Sequence, residues 1–120
     1  MKIFDTLTRS NISLTATTKS VIRIFVCGPT LYDNFHIGHA RVFLLVDLII
    51  RLLESRNYIP HVIVNVTDID PKLKENNINP DPIFKTFIDD LNNLGISDLI
   101  YAKTSDYVKE DRKSTRLNSS

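Results

Sequence analysis

The sequence predicts an α/β fold with a small parallel sheet, and three observations lead to this prediction. A β-branched and aromatic run, broken only by Arg23, spans Val21–Val26. A second β-branched run spans residues 60–66. Strands with so few polar residues are typical of parallel sheets, which are buried on both faces. The segment between the runs is helical in pattern, and a strand–helix–strand unit has a right-handed crossover that makes the strands parallel.

Composition and charge fit a globular domain and give no sign of a special partner. The 120 residues are 42% hydrophobic and 24% charged, which suits one domain with a modest core. The formal net charge of +1 does not mark a polyanion binder. The apolar segment 42–53 is broken by Asp47 and Arg51 and is shorter than the roughly 20 residues that span a bilayer. No membrane partner is therefore expected.

The first 23 residues allow two interpretations. They are poor in acidic residues and contain four basic ones, a composition shared by transit peptides. Apolar and polar residues nevertheless alternate over 3–7 and 12–14, which is the period of two half-buried strands. We expect a strand pair and a cytoplasmic protein, with organellar targeting as the alternative. The single cysteine, Cys27, also suits a reducing compartment.

A helix is expected between the two main strands, from residue 37 to about residue 56. Its apolar residues cover most of its circumference, so it is expected to be largely buried. Asp47 and Arg51 are spaced as a favourable surface pair, and Asn57 can end the helix in a left-handed cap. The second strand then follows.

The remaining residues predict another helix and a short extended segment. Asp81 before Pro82 is a helix-start signal and Gly95 is a stop signal. An extended piece at 98–102 and a helix starting near Tyr107 come next. The apolar stripe of the earlier helix consists of Ile83, Phe84, Phe87, Ile88, Leu91 and Leu94.

The organisation along the chain is one folded unit at 1–110 and a tail at 111–120. The tail has one aliphatic residue and an abrupt excess of Arg and Ser, so it is expected to be disordered. It also resembles sequence added by cloning or sequencing adapters, and is treated as non-native.

The clearest functional signal is a pair of histidines at the start of the predicted helix. His36 and His39 flank Ile37 and Gly38 where a loop gives way to the helix. Free backbone N–H groups and the positive helix end favour an anion there, and imidazole N–H groups can donate to phosphate oxygens. Two isolated histidines are more often a cap and a core residue, so the surrounding sequence must decide.

The surrounding residues resemble the first signature of class I aminoacyl-tRNA synthetases, with a complete match at 36–39. Four segments are similar to the cysteinyl-tRNA synthetase family in order and spacing, namely Cys-Gly-Pro-Thr at 27–30, Tyr-Asp at 32–33, His-Ala-Arg at 39–41 and Thr-Asp-Ile-Asp at 67–70. This resemblance covers roughly residues 3–110. It has two departures beside the motifs, since Asn57 stands where the family usually has glycine and Pro71 where it usually has a second aspartate.

This resemblance implies the N-terminal part of a Rossmann-like parallel sheet of the class I synthetase catalytic domain, incomplete in this chain. It implies ATP-dependent activation of cysteine to cysteinyl adenylate and transfer to tRNA(Cys), a step of protein biosynthesis. ATP, with magnesium, is a substrate. The tRNA is expected to bind through regions mostly outside these residues, and the sequence does not indicate the oligomeric state.

The resemblance also implies residue roles at the nucleotide. His36 and His39 are the catalytic residues, because they stabilise phosphate charge during activation. Thr30 and Gly38 join them in binding ATP.

Cysteine is expected to contact Cys27, Gly28, Thr67 and Asp68, as the resemblance implies. Cys27 is also one of four zinc ligands in the family, and the other three lie outside these residues. Considered without the family, Cys27 is equally well explained as a small residue at a strand end, and Thr67 and Asp68 as turn or cap residues. A local metal site of Cys27 with His36 and His39 is a minor alternative.

Two rival functions share these motifs. One is an ATP-dependent ligase that joins cysteine to an amino sugar, and the other is a catalytically inactive binding fragment. A downstream lysine-rich loop and an anticodon-binding domain would distinguish them. The 120 residues alone are expected to be inactive and to leave Val62 and Val64 exposed at an incomplete sheet.

Overall fold

The computed structural model describes residues 1–16 and 20–108, so the predicted tail at 111–120 lies outside the described residues. The chain begins with an antiparallel pair, β1 (Lys2–Asp5) and β2 (Ser10–Ser13). Asp5 holds the turn, since its carboxylate accepts the Leu7 N–H at 3.2 Å and the Thr8 hydroxyl at 2.7 Å. The strand pair predicted from the alternation is confirmed.

A three-stranded parallel sheet and its helices follow this hairpin and confirm the α/β fold class. The elements in chain order are β3 (Val21–Val26), α1 (Ile37–Glu54), β4 (Ile59–Val66), α2 (Pro71–Glu75), α3 (Pro80–Asn93) and β5 (Ile100–Lys103). The strand order in the sheet is β3-β4-β5. Residues 104–108 are helical and continue directly from the last strand, so this helix starts three residues earlier than predicted.

The core lies between the sheet and the two longer helices. The rings of Phe43 in α1 and Phe87 in α3 meet edge to face, with centroids 5.3 Å apart. Both pack with Val62 and Val64 of β4, which are 2% and 0% exposed. Right-handed crossovers to successive neighbouring strands place both helices on one face of the sheet, which explains this shared core.

Helix α1 starts as predicted and ends two residues before the predicted end. Asn57 has a φ of 61°, which confirms the left-handed cap after the helix. The Arg51 Nε lies 2.7 Å from the Asp47 carboxylate, which confirms the surface pair.

The prediction that α1 is largely buried is wrong. Leu53 on the inner side is fully buried, whereas Leu48 is 62% exposed. The inner side already covers the sheet, so the second apolar side points away from it. The outer residues share this orientation along the length of the helix and are Ile37, Leu44, Leu45, Leu48 and Leu52.

The prediction that Val62 and Val64 would be exposed at an incomplete sheet is also wrong. These two side chains lie under the helices, because alternate residues of a strand face opposite sides of a sheet. The opposite side carries Phe25, Ile63 and Ile100, which are aligned across the three strands. They are 70%, 39% and 53% exposed.

Helices α2 and α3 each begin at a proline that follows a polar cap residue. Asp70 caps α2 by accepting the Lys72 N–H at 2.8 Å, and Pro71 occupies the first turn, where its missing N–H costs nothing. The departure from the family at Pro71 therefore begins a helix that the sequence did not predict. Helix α3 begins at Pro80 with Asn79 as its cap, slightly earlier than predicted.

Candidate active site

The predicted site residues lie in two groups. One group follows the carboxyl ends of β3 and β4, which meet at one edge of the sheet, and the other forms the start of α1. Thr30 and Thr67 pair across the two chain segments in an isolated parallel bridge. The Leu31 N–H donates to the Thr67 carbonyl and the Thr67 N–H donates to the Pro29 carbonyl, both at 3.1 Å. In parallel α/β sheets ligands bind at this edge, so the placement suits a binding site.

The turn after β3 is pressed against β4. The Gly28 N–H donates to the side-chain Oδ1 of Asn65 at 2.7 Å. A Cβ at Gly28 would lie 1.8 Å from the Asn65 carbonyl oxygen, so only glycine fits there without separating the strands. The Cys27 thiol just before it is exposed.

The first turn of α1 is closed by the two predicted catalytic histidines. The Nδ1 of His36 accepts the Gly38 N–H at 3.1 Å, and the Nδ1 of His39 accepts the His36 N–H at 3.4 Å. This is a reciprocal capping box built from imidazoles instead of the usual Ser and Glu. The rings stack with centroids 3.9 Å apart.

The capping box determines which ring atoms are available to a ligand. Because each Nδ1 accepts a backbone N–H, the neutral rings of His36 and His39 carry their proton on Nε2. Each Nε2–H then remains as a donor. The Gly38 N–H is already bonded to His36, so it is not one of the free backbone donors that the sequence predicted.

Gly38 makes room for this arrangement. A Cβ at this position would lie 2.8 Å from His36 Cε1 and 3.0 Å from Nδ1. The absent side chain therefore accommodates the His36 ring as well as allowing the close ligand approach expected from the sequence.

The environment of His39 favours its neutral form. Burial lowers the pKa of His39 first, the charge of His36 lowers it further, and Asp33 acts in the opposite direction. The ring also lies against Phe35 and Phe87, at centroid distances of 5.8 and 6.4 Å. A neutral imidazole keeps Nδ1 as an acceptor, so this environment supports the capping box.

Asp68 joins the end of β4 to the chain after β5. Its carboxylate accepts the Ser105 N–H at 2.9 Å and the Ser105 hydroxyl at 2.5 Å. The Thr104 hydroxyl donates to the Val66 carbonyl at 3.1 Å beside it. Asp68 thus caps the helical residues 104–108, and each carboxylate oxygen has a second lone pair available to a ligand.

Two clefts flank the site. The larger, of about 430 Å³, lies beside His36 and includes Asp90 and Leu94 in its lining. The other, of about 280 Å³, lies under the end of β4 and includes Asp68 and Lys74.

The exposed Cys27 side chain is the sulfur ligand that the described residues offer to a metal at this edge. Within residues 1–16 and 20–108, no three His, Cys, Asp or Glu side chains come together as a metal site. None of the helices in those residues combines the length and hydrophobicity that a membrane crossing requires.

The sequence analysis assigned no site role to Asn65 or Ser105. Asn65 was detectable as a polar residue near the end of an otherwise apolar strand. Ser105 gave no local signal, since its partner Asp68 is 37 residues away in sequence.

A parallel α/β sheet with a polar site at its carboxyl edge is the architecture of nucleotide-binding domains. Residues 13–113 match the family model described as tRNA synthetases class I (C) catalytic domain. This match covers most of the chain, so the chain belongs to that family, and its sheet is an incomplete Rossmann-like sheet.

Curated relatives are named cysteine–tRNA ligase. The protein of Methanococcus aeolicus is 36% identical over 121 residues, covering 92% of this chain and 25% of the relative. That of Thermoplasma acidophilum is 36% identical over 119 residues, covering 92% and 26%. That of Mesoplasma florum is 44% identical over 89 residues, covering 74% and 20%. The chain spans about a quarter of the length of the first two relatives.

Proposed function

We propose that these residues form the first part of the catalytic domain of a cysteine–tRNA ligase that acts in the cytoplasm. Cysteine and ATP would give cysteinyl adenylate and pyrophosphate, and the cysteinyl group would then pass to the terminal ribose of tRNA(Cys). The histidine pair at the start of α1 carries this proposal, because it would supply two donors at the edge of the sheet where ligands of such folds bind. The names of the relatives favour tRNA over an amino sugar as acceptor.

In the first step the cysteine carboxylate attacks the α-phosphorus of ATP, and the bond to the pyrophosphate oxygen breaks. Catalysis of this step depends mainly on positioning and on stabilising charge. The Nε2–H groups of His36 and His39 would donate to phosphate oxygens as negative charge develops on them, and neither needs to transfer a proton. Thr30 and Gly38 would contact the nucleotide beside them.

In the second step a hydroxyl of the terminal ribose attacks the cysteinyl carbonyl carbon, and AMP leaves with its phosphate oxygen. The hydroxyl proton passes to a phosphate oxygen of the departing AMP or to water as the ester bond forms. Thr67 and Asp68 lie at the edge where the amino acid would be held, and their oxygens suit its ammonium group.

A zinc ion fits this proposal through Cys27, whose exposed thiol follows β3 directly. Cys27 would be one of four ligands, with the other three supplied from outside these residues. A zinc ion held there with an open position would bind the substrate thiolate and would discriminate against serine, whose hydroxyl is a poorer ligand. Gly28 would keep the backbone close enough for the substrate to lie beside Cys27.

Replacing Cys27 with Ser in the full-length enzyme tests both the metal and the reaction. We expect zinc content and cysteine-dependent pyrophosphate exchange to fall together while the fold is retained, because serine is nearly isosteric but a poor ligand. Metal analysis, exchange assays and circular dichroism measure these effects. Charging of tRNA(Cys), compared with transfer to an amino sugar, identifies the acceptor. A variant that keeps its zinc and its rate would show that Cys27 is only a structural residue.

A further inference from the structure

The turn that carries Cys27 is held by a side chain that is not one of the expected ligands. Strand β3 ends at Val26, whose partner in the sheet is Val64, so Cys27 lies beside Asn65. The turn rejoins β4 only at the bridge between Thr30 and Thr67. Between these two points the chain leaves the regular ladder, and the Asn65 side chain binds it there.

The Asn65 amide has a defined orientation. A backbone N–H can be accepted only by the amide oxygen, so the 2.7 Å bond from Gly28 determines which end of the amide faces the turn. Asn65 is half-buried, which protects the bond from competition by water. The close approach of Gly28 to the Asn65 backbone leaves the turn little freedom to move away.

We propose that Asn65 is a positioning residue for Cys27, acting through the Gly28 N–H to hold the thiolate where it binds zinc and, through zinc, the substrate. This rests on the proposed function. Groups that orient a metal ligand contribute strongly to metal affinity, and their loss typically costs about 10–100-fold. Asn65 would act through the turn that carries Cys27, so we expect its loss to affect the binding of cysteine and to leave ATP binding unchanged.

Asn65→Leu and Asn65→Asp in the full-length enzyme separate positioning from packing. Leu is close in size but accepts no hydrogen bond. We expect about 10–100-fold weaker zinc binding in competition with a chelator and a raised KM for cysteine. The KM for ATP should remain within about twofold, and amide exchange in the segment 26–31 should accelerate. Asp keeps an acceptor oxygen, so it should restore slow amide exchange and most of the zinc affinity.

Asn79→Leu is the matched control, because Asn79 Oδ1 also accepts a backbone N–H, from Asp81 at 3.1 Å, but caps α3. It should lower the thermal midpoint without changing zinc affinity. Unchanged zinc affinity and amide exchange in Asn65→Leu would overturn the inference and leave the proposed function intact. Equal losses of zinc in the Asn65 and Asn79 variants would also overturn it. Wild-type enzyme without zinc would instead refute the proposed metal, and the role of Asn65 with it.

Discussion

His36 and His39 each use one ring nitrogen to close the first turn of α1 and leave the other nitrogen available to a ligand. Each Nδ1 accepts a backbone N–H of the first turn of α1, which stabilises that turn and keeps the proton on Nε2. The two rings also stack, with their centroids 3.9 Å apart. Donors held in place before the reaction stabilise developing charge without reorganisation, which is the main source of electrostatic catalysis.

Replacing His36 or His39 with Asn in the full-length enzyme is expected to slow adenylate formation by roughly 10–1,000-fold. Asn at position 36 remains a good N-cap, so the helix start should persist while the ring donor is lost. The KM for cysteine should change little. Single-turnover adenylation and circular dichroism measure rate and fold. Equal losses in rate and in cysteine affinity would indicate collapse of the helix start.

The lowered pKa of His39 predicts a pH dependence of stability. Burial and the charge of His36 favour the neutral ring in the folded state, so the pKa of His39 lies below its ordinary value of 6.5. The unfolded chain therefore binds a proton first as the pH falls. The neutral His39 ring therefore contributes to the free energy of unfolding. This contribution is fully present above about pH 6.5 and is lost as the pH falls through the lowered pKa of His39.

His39→Gln should remove this contribution, because Gln does not titrate and still suits a capping box. Urea midpoints measured from pH 7.5 to pH 5 should fall less steeply for the variant than for the wild type. Parallel curves for the two proteins would contradict the assigned cause.

At the scale of single elements, the sequence predicted what depends on local order along the chain. The apolar run fixed β3, and Asn57 fixed the end of α1 through its left-handed conformation. Contacts distant in sequence escaped prediction, such as the Asp68–Ser105 pair and the bond from Gly28 to Asn65. Periodicity also could not show which side of α1 would be covered, because both sides are apolar.

The two sides of α1 are expected to differ in their contribution to stability. Leu53 is fully buried, and Leu53→Ala should cost about 2–5 kcal/mol of unfolding free energy, because a cavity remains in the core. Leu48 is 62% exposed, and Leu48→Ala should cost less than about 1 kcal/mol in a polypeptide of these residues. Urea denaturation in dilute solution measures both. Equal costs would show that the outer side is covered in solution.

At the scale of the whole molecule, the described residues have two uncovered apolar surfaces. One is the outer side of α1, and the other is the row Phe25, Ile63 and Ile100 on the open face of the sheet. A sheet built from parallel strands is normally covered on both faces, and a helix that is apolar all round is normally buried. Both surfaces are therefore suited to contact with further protein, in agreement with the greater length of the relatives.

A polypeptide of these 120 residues is expected to show no cysteine-dependent pyrophosphate exchange. It contains a single cysteine, and one thiolate holds zinc weakly because metal affinity depends on a complete, deprotonated ligand set. The lysine-rich loop implied by the family resemblance lies outside it, so the phosphates would meet only part of their stabilising donors. The open face of the sheet should also cause self-association, and Ile63→Lys, at a position 39% exposed, should reduce it without lowering the unfolding midpoint. Exchange assays and light scattering test both expectations. Robust exchange would show that activation requires neither the remaining ligands nor the loop.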